Sequence, residues 1–282
     1  MERKKIAIVG VGLIGGSLAI QLHEKKLSSR LIGVDANAAH AKKAIELELV
    51  DEMLPLDEAI NASDVILLSV PVDTMVSLLP TILDKVDKQI VFDIGSTKSQ
   101  VINSVKDHPK RGRFVATHPM WGTEYSGPQA AMKGAFEGKA VIICNAGESD
   151  KDALDWVKHM YKKIGMHLLE MDAVSHDLHA AYVSHISHIT SFALANTVLE
   201  KEKEANAIFE MASAGFESTV RLAKSNPAMW VPIFLQNKEN VLDVLTEHIA
   251  QLSRFKESIE KDDHVCLLQL IEDANKIKRI LK

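Results

Sequence analysis

What this 282-residue chain lacks narrows its class before any motif is considered. Only Cys144 and Cys266 occur, with no Cys-x-x-Cys spacing, so neither a disulfide framework nor a cysteine metal site is expected. No apolar run approaches the roughly 18 residues of a membrane span. The stretch after Met1-Glu2-Arg3-Lys4-Lys5 is interrupted at Gly10, too soon for a signal peptide, and no small-residue cleavage site follows. A cytoplasmic protein is expected. Long basic runs are missing and the formal net charge is −5, which argues against nucleic acid as the main partner. No internal repeat or low-complexity tract interrupts the chain. A hydrophobic content of 46% with 25% charged residues is that of a soluble globular protein, long enough for two domains.

The residues that are present change pattern partway along. Short apolar runs at Lys5–Val9, Leu31–Val34, Val65–Val70, Ile90–Asp93, Phe114–Thr117 and Ala140–Cys144 read as buried strands. Helical stretches at Ser17–Lys26, Ala38–Leu47 and Thr74–Lys85 separate the first of them. Strands alternating with helices imply βαβ units and a parallel sheet covered on both faces. After about Gly147 strand signals nearly vanish. Asp150–Ile164 reads as a helix and Met166–Met171 as a last strand; Asp172–Val198, Lys201–Ser225, Ala228–Leu252 and His264–Leu281 read as helices. The expected architecture is a Rossmann-type, doubly wound α/β domain over residues 1–165 and an all-α domain over 166–282, hinged near 145–175.

Gly10-Val11-Gly12-Leu13-Ile14-Gly15 follows the first strand and opens a helix. Gly10 permits a tight turn, Gly12 lets the backbone approach a pyrophosphate, and Gly15 allows helix and strand to pack closely; Leu13 and Ile14 complete the loop. The helix N-terminus then offers free N–H groups and a positive dipole end to phosphate. Asp35 ends the next strand, where a carboxylate accepts from ribose hydroxyls and repels a 2′-phosphate. Ala36-Asn37-Ala38 brings no Arg or Lys to hold such a phosphate, so NAD is expected over NADP. The end of another strand, Ser69-Val70-Pro71, should border the same crevice, since open parallel sheets bind ligands beyond their carboxyl ends.

A second group of residues carries chemistry. In Asp93-Ile94-Gly95-Ser96-Thr97-Lys98, Ser96 fits two roles: a donor near the nicotinamide or substrate, or the N-cap of a helix beginning near Lys98. His118 follows an apolar strand in His118-Pro119-Met120-Trp121-Gly122-Thr123-Glu124. An imidazole there can take a hydroxyl proton at neutral pH while hydride leaves the same carbon, although a structural loop histidine fits the local pattern as well. Glu124 suits orienting a neighbour or guarding the pocket. His185 and His188 lie at i and i+3 in the long helix, in Ser184-His185-Ile186-Ser187-His188. Without HExxH or further ligands no metal is expected; core packing and substrate binding are the readings left. His176 and Asp177 are read as serving the start of that helix and interdomain contact. Arg221, the only arginine between Arg113 and Arg254, suits two-point recognition of a carboxylate or an ion pair with a neighbouring helix. Trp230 is read as a core or interface aromatic.

In their order and spacing these pieces resemble the prephenate dehydrogenase family, and the likeness runs through nearly the whole chain. The resemblance implies an oxidative decarboxylation: prephenate gives hydride to NAD, loses carbon dioxide and becomes 4-hydroxyphenylpyruvate on the route to tyrosine. It implies that His118 accepts the ring-hydroxyl proton, Ser96 supports His118 and the nicotinamide, Arg221 holds a substrate carboxylate, His188 with Ser184 contacts the side chain, and Glu124 lines the entrance. It also implies a homodimer built through the C-terminal helices. Trp121 departs from the family, which more often has a small residue there, and a narrower pocket mouth is expected. Rival readings are arogenate dehydrogenase, a β-hydroxyacid dehydrogenase-like oxidoreductase, and a non-catalytic NAD-binding sensor.

Overall fold

The computed structural model describes residues 2–202 and 209–280. Among the described residues eight strands form one sheet in the order β3-β2-β1-β4-β5-β6-β7-β8. They are β1 (Lys4–Val9), β2 (Ser28–Val34), β3 (Glu52–Met53), β4 (Val65–Leu68), β5 (Ile90–Asp93), β6 (Phe114–Pro119), β7 (Ala140–Cys144) and β8 (His167–Met171). All neighbours pair in parallel except β6 with β7, where Thr117 faces Ile143 in antiparallel register. Successive residues of β1 point to opposite faces: Ile6 and Ile8 enter one buried cluster, Ala7 and Val9 the other. A strand buried on both sides must be apolar at every position, which explains the continuous runs in the sequence.

From β1 the chain winds through β2 and β3 in one direction and returns through β4, β5 and β6 in the other. The reversal leaves a crevice at the carboxyl ends of β1 and β4, where open parallel sheets bind ligands. The helices over this part of the sheet are α1 (Leu13–Glu24), α2 (Ala38–Glu46), α3 (Leu56–Ala62), α4 (Val72–Lys85), α5 (Ser99–Asn103) and α6 (Lys151–Ile164). α1 is apolar and buries residues on several sides, Leu13, Leu18 and Leu22 among them. α6 buries the stripe Ala153, Trp156, Val157, Met160, Tyr161 and Ile164, and stops at Gly165, which adopts the left-handed conformation of a C-cap with φ 94°.

Beyond β8 the chain is helical: α7 (Ala173–Ala180), α8 (Ile186–Glu202), α9 (Ala214–Val220), α10 (Pro227–Gln236), α11 (Lys238–Glu260) and α12 (His264–Asn275). Two compact units result, Met1–Asn237 and Lys238–Lys282. The stretch expected as one helix from Asp172 instead contains a π turn at Ala181–His185 between α7 and α8. The helix expected over Ala228–Leu252 breaks at Asn237, whose side chain turns inward to donate to the Asp177 carbonyl at 2.6 Å. Within Lys201–Ser225, residues 203–208 lie outside the described residues; what is described there is a 3₁₀ turn at Phe209–Met211, then α9 and a 3₁₀ turn over Arg221–Lys224. The second unit is the α11–α12 pair, with Leu242, Ile249, Leu252 and Ile259 exposed along α11. Among the described residues no helix is long and apolar enough to cross a membrane.

Candidate active site

The glycine loop has the shape of a dinucleotide cradle. Gly10 has φ 94°, and a Cβ there would lie 2.5 Å from the Ser69 carbonyl oxygen. A Cβ on Gly15 would lie 2.3 Å from the Gly10 carbonyl oxygen. Both positions therefore require glycine. Gly12 differs: a Cβ on it would meet nothing within 4 Å, so its open face is free for a ligand. Among the described residues no side chain caps the N-terminus of α1, which leaves its N–H groups available to phosphate. Leu13 and Ile14 begin α1, and Ser69, Val70 and Pro71 run from β4 into α4 against Gly10. Asp35, directly after β2, is half-buried and accepts the Val11 N–H at 3.0 Å and the Asn37 N–H at 2.9 Å. Those bonds aim its carboxylate at the loop and leave it lone pairs for a ribose. The residues present fit a dinucleotide.

His118 sits near the end of β6, only 9% exposed. Its Nδ1 is 2.8 Å from His176 Nε2, and His176 Nδ1 is 2.8 Å from Asp177 Oδ1. Both partners come from α7, where Asp172 caps the helix by accepting from Ser175 N–H. Asp177 in turn accepts the Lys98 and Ser99 N–H groups, each at 2.8 Å, capping α5 from outside. Lys98 is fully buried; its ammonium pairs with Asp93 and donates to the Thr117 carbonyl at 2.8 Å, tying β5 to β6. Burial, then the charges His176, Lys98 and His185 would carry, push the His118 pKa well below that of an ordinary histidine. A neutral imidazole at a strand end is the state a general base requires. Burial opposes ionisation of Asp177, but hydrogen bonds from His176, Ser99 and Lys98 outweigh it and hold the carboxyl below the usual range.

Ser96 lies half-buried in the turn after β5. It does not cap α5, since Asp177 does, and the hydrogen bond that holds His118 is the one it shares with His176. Its neighbour Thr97 donates to Gln236 at 2.7 Å, joining this turn to α10. The second group of candidate residues converges as well. Arg221 Nη1 lies 2.7 Å from Glu124 Oε2, with the arginine exposed and the carboxylate nearly covered. Glu124's own amide and then Arg221 keep that carboxyl ionised below the usual range despite desolvation. His188 lies flat on Trp230, ring centroids 3.5 Å apart and planes 27° from parallel, beside Phe192 and Phe234. Its Nδ1 donates to the Ser184 carbonyl at 3.0 Å, so Ser184 contributes through its backbone. His185 is buried instead, edge-on to Trp230 and Phe234, and burial brings its pKa down to about 4.

Trp121 joins the core wall, edge-on to Phe136 at 5.2 Å. Gly122, next to it, faces the Ile14 side chain, which makes the histidine loop a neighbour of the glycine loop. His176, Asp177, Lys98 and Asn237 also belong to this site, although local sequence pattern does not mark them as such. The one available signal was the adjacent His-Asp pair one turn after a helix cap.

Known proteins are similar to this chain in sequence and fold. Residues 18–170 match the family model described as prephenate dehydrogenase, nucleotide-binding domain, and residues 172–273 the one described as prephenate dehydrogenase, dimerization domain. The chain is 30% identical to a prephenate dehydrogenase of Bacillus subtilis, over 95% of this chain and 74% of that one. It is likewise 30% identical to a cyclohexadienyl dehydrogenase of Zymomonas mobilis, over 99% and 96%. Its structure is similar to that of prephenate dehydrogenase from A. aeolicus in complex with hydroxyphenyl propionate and NAD+, with a TM-score of 0.89, 31% identity, and 99% and 98% coverage.

Proposed function

The chain belongs to the prephenate dehydrogenase family, and from that premise we propose that it oxidatively decarboxylates prephenate to 4-hydroxyphenylpyruvate, in the cytoplasm, with NAD as oxidant. The observation that carries this reading is a buried, neutral imidazole at the end of β6, one loop away from a glycine cradle with an open face at Gly12. Gly10, Gly12, Leu13, Ile14, Gly15 and the Ser69-Val70-Pro71 turn would hold NAD, with Asp35 on the ribose; when bound, NAD supplies the hydride acceptor. His118 takes the proton of the ring hydroxyl. Arg221, already holding Glu124 through one nitrogen, has further donors for a substrate carboxylate. Ser96, in the turn after β5, orients the nicotinamide. Aromatisation of the ring makes the step strongly downhill, so alignment is the protein's main contribution. In this reading residues 1–165 serve the cofactor, and 166–282 serve substrate binding and dimerisation. A homodimer is supported by the family description and by the exposed stripe Leu242, Ile249, Leu252, Ile259 on α11.

One observation favours a second substrate. Because the Ser184 carbonyl accepts from His188 Nδ1, Nε2 of His188 is left as an acceptor. An acceptor suits the ammonium of arogenate better than the keto oxygen of prephenate. Purified protein offered prephenate or L-arogenate, each with NAD or NADP, decides the matter by formation of reduced cofactor. NADH with prephenate supports the proposal, arogenate-only turnover changes the substrate, and no turnover with either would sink both.

A further inference from the structure

We propose that His176 is the positioning partner of His118, and that Asp177, His176 and His118 form one closed relay that sets the tautomer of the base and shares its proton. The inference rests on the reading of His118 as the base. Asp177 is ionised and can only accept, so the hydrogen between it and His176 belongs to His176 Nδ1. A neutral His176, with its one ring hydrogen on Nδ1, offers only a lone pair at Nε2. The 2.8 Å contact with His118 Nδ1 therefore requires that His118 donate, which leaves His118 Nε2 bare as the basic atom. The far end of the relay is fixed. The two Asp177 oxygens are held by the Lys98 and Ser99 amides, and its carbonyl by Asn237 at 2.6 Å.

Proton balance gives the closed relay its purpose. In the proposed reaction the C–H bond at the hydroxyl-bearing carbon breaks with its electron pair going to the oxidant. The ring–carboxylate bond breaks with its pair staying in the ring, and carbon dioxide departs. The hydroxyl O–H bond breaks toward His118 Nε2, leaving a phenolate oxygen. A phenol with a pKa near 10 keeps its proton at neutral pH, so the proton returns to that oxygen and none is released overall. A base that borrows and returns a proton has no need of a path to water. His176 is 2% exposed and Asp177 3%, and the relay ends on backbone amides. While His118 is protonated, the hydrogen it shares with His176 can shift toward Nε2 of His176, which places positive charge beside the Asp177 carboxylate. Other charged and titratable groups facing His118 are Lys98, paired with Asp93 at the end of β5, and His185 on the π turn.

The test uses the full-length protein. Imidazole ¹⁵N shifts, with the His118 signals identified by their loss in His118→Ala, should show Nδ1 protonated and Nε2 bare; the opposite tautomer overturns the proposal without needing a variant at His176. His176→Leu should lower kcat by about 10²-fold or more at unchanged NAD affinity and move the acid limb of the kcat profile. His176→Gln, whose amide can accept from His118 and donate to Asp177, should recover at least about tenfold of that loss. Native kcat and an unmoved acid limb in a His176→Leu protein that binds NAD normally overturn it. If His118→Ala also turns over normally, the reading of His118 as base fails with it; if only the His176 variants are unaffected, that reading stands.

Discussion

Arg221 and Glu124, 97 residues apart in sequence, meet at 2.7 Å, and the pair joins the histidine loop to the 3₁₀ turn after α9. An arginine that holds a carboxylate of its own protein is already oriented to hold one from a ligand. Arg221→Ala should raise KM about 10–100-fold with kcat little changed, because a charge-assisted anchor is lost. An unchanged KM in steady-state kinetics would return Arg221 to a purely structural ion pair.

Replacing His118 by Ala should cut kcat by about 10²–10⁴ while isothermal titration shows the same NAD affinity. In the unaltered protein the depressed pKa of His118 fixes the sign of the pH effect: the base stays neutral and active well below pH 6.5, and activity falls only where it finally protonates. An acid limb centred at or above 6.5 contradicts this.

The two glycines of the cradle should fail differently. Gly10→Ala forces a side chain onto φ 94° and into the Ser69 carbonyl, and should cost about 1–3 kcal/mol of stability. Gly12→Ala meets no protein atom, so Tm should hold while NAD affinity drops about tenfold or more, since the methyl group occupies the ligand's space. Thermal melts with and without NAD separate the two effects. Equal melting losses would refute the distinction.

Asp35→Ser should narrow the preference for NAD over NADP by about tenfold, by removing a carboxylate that repels a 2′-phosphate. An unaltered ratio of kcat/KM for the two cofactors rejects the ribose role.

His185 couples stability to acid. With a folded pKa of about 4 against about 6.5 unfolded, it binds a proton only after unfolding between those values. Stability on its account is complete above pH 6.5 and declines as pH falls toward 4, by up to about 1.4 kcal/mol per pH unit. Denaturant titrations of His185→Gln should show a shallower acid-side slope; the same slope would exclude His185 as the coupled group.

Much of this protein follows from local pattern. Apolar runs without alternation identify strands buried on both faces, and the 3.6-residue stripe of α6 identifies its buried side. The glycine loop is legible because its glycines sit at fixed spacing between a strand and a helix, and Asp35 because it follows the adjoining strand; the Ser69 carbonyl that makes Gly10 obligatory comes from beyond β4 and is not legible locally. Sequence also singled out His118, Glu124, His188 and Arg221 as candidates, while local pattern left their roles open and only the family resemblance suggested them.

Partners are what local pattern leaves open. His176 and Asp177 look like ordinary residues near a helix start, and only the packing of α7 against β6 and α5 puts His176 behind His118 and Asp177 onto the amides of α5. Periodicity runs smoothly through Asn237, yet the helix ends there because its amide bonds to Asp177. Most strands and helices, and the spacing of the cofactor loop, depend on residues close together in the chain, and sequence determined them. The depressed pKa of His118, its contact with His176 and the Arg221–Glu124 pair depend on burial and on groups from distant segments, which only the tertiary structure decided.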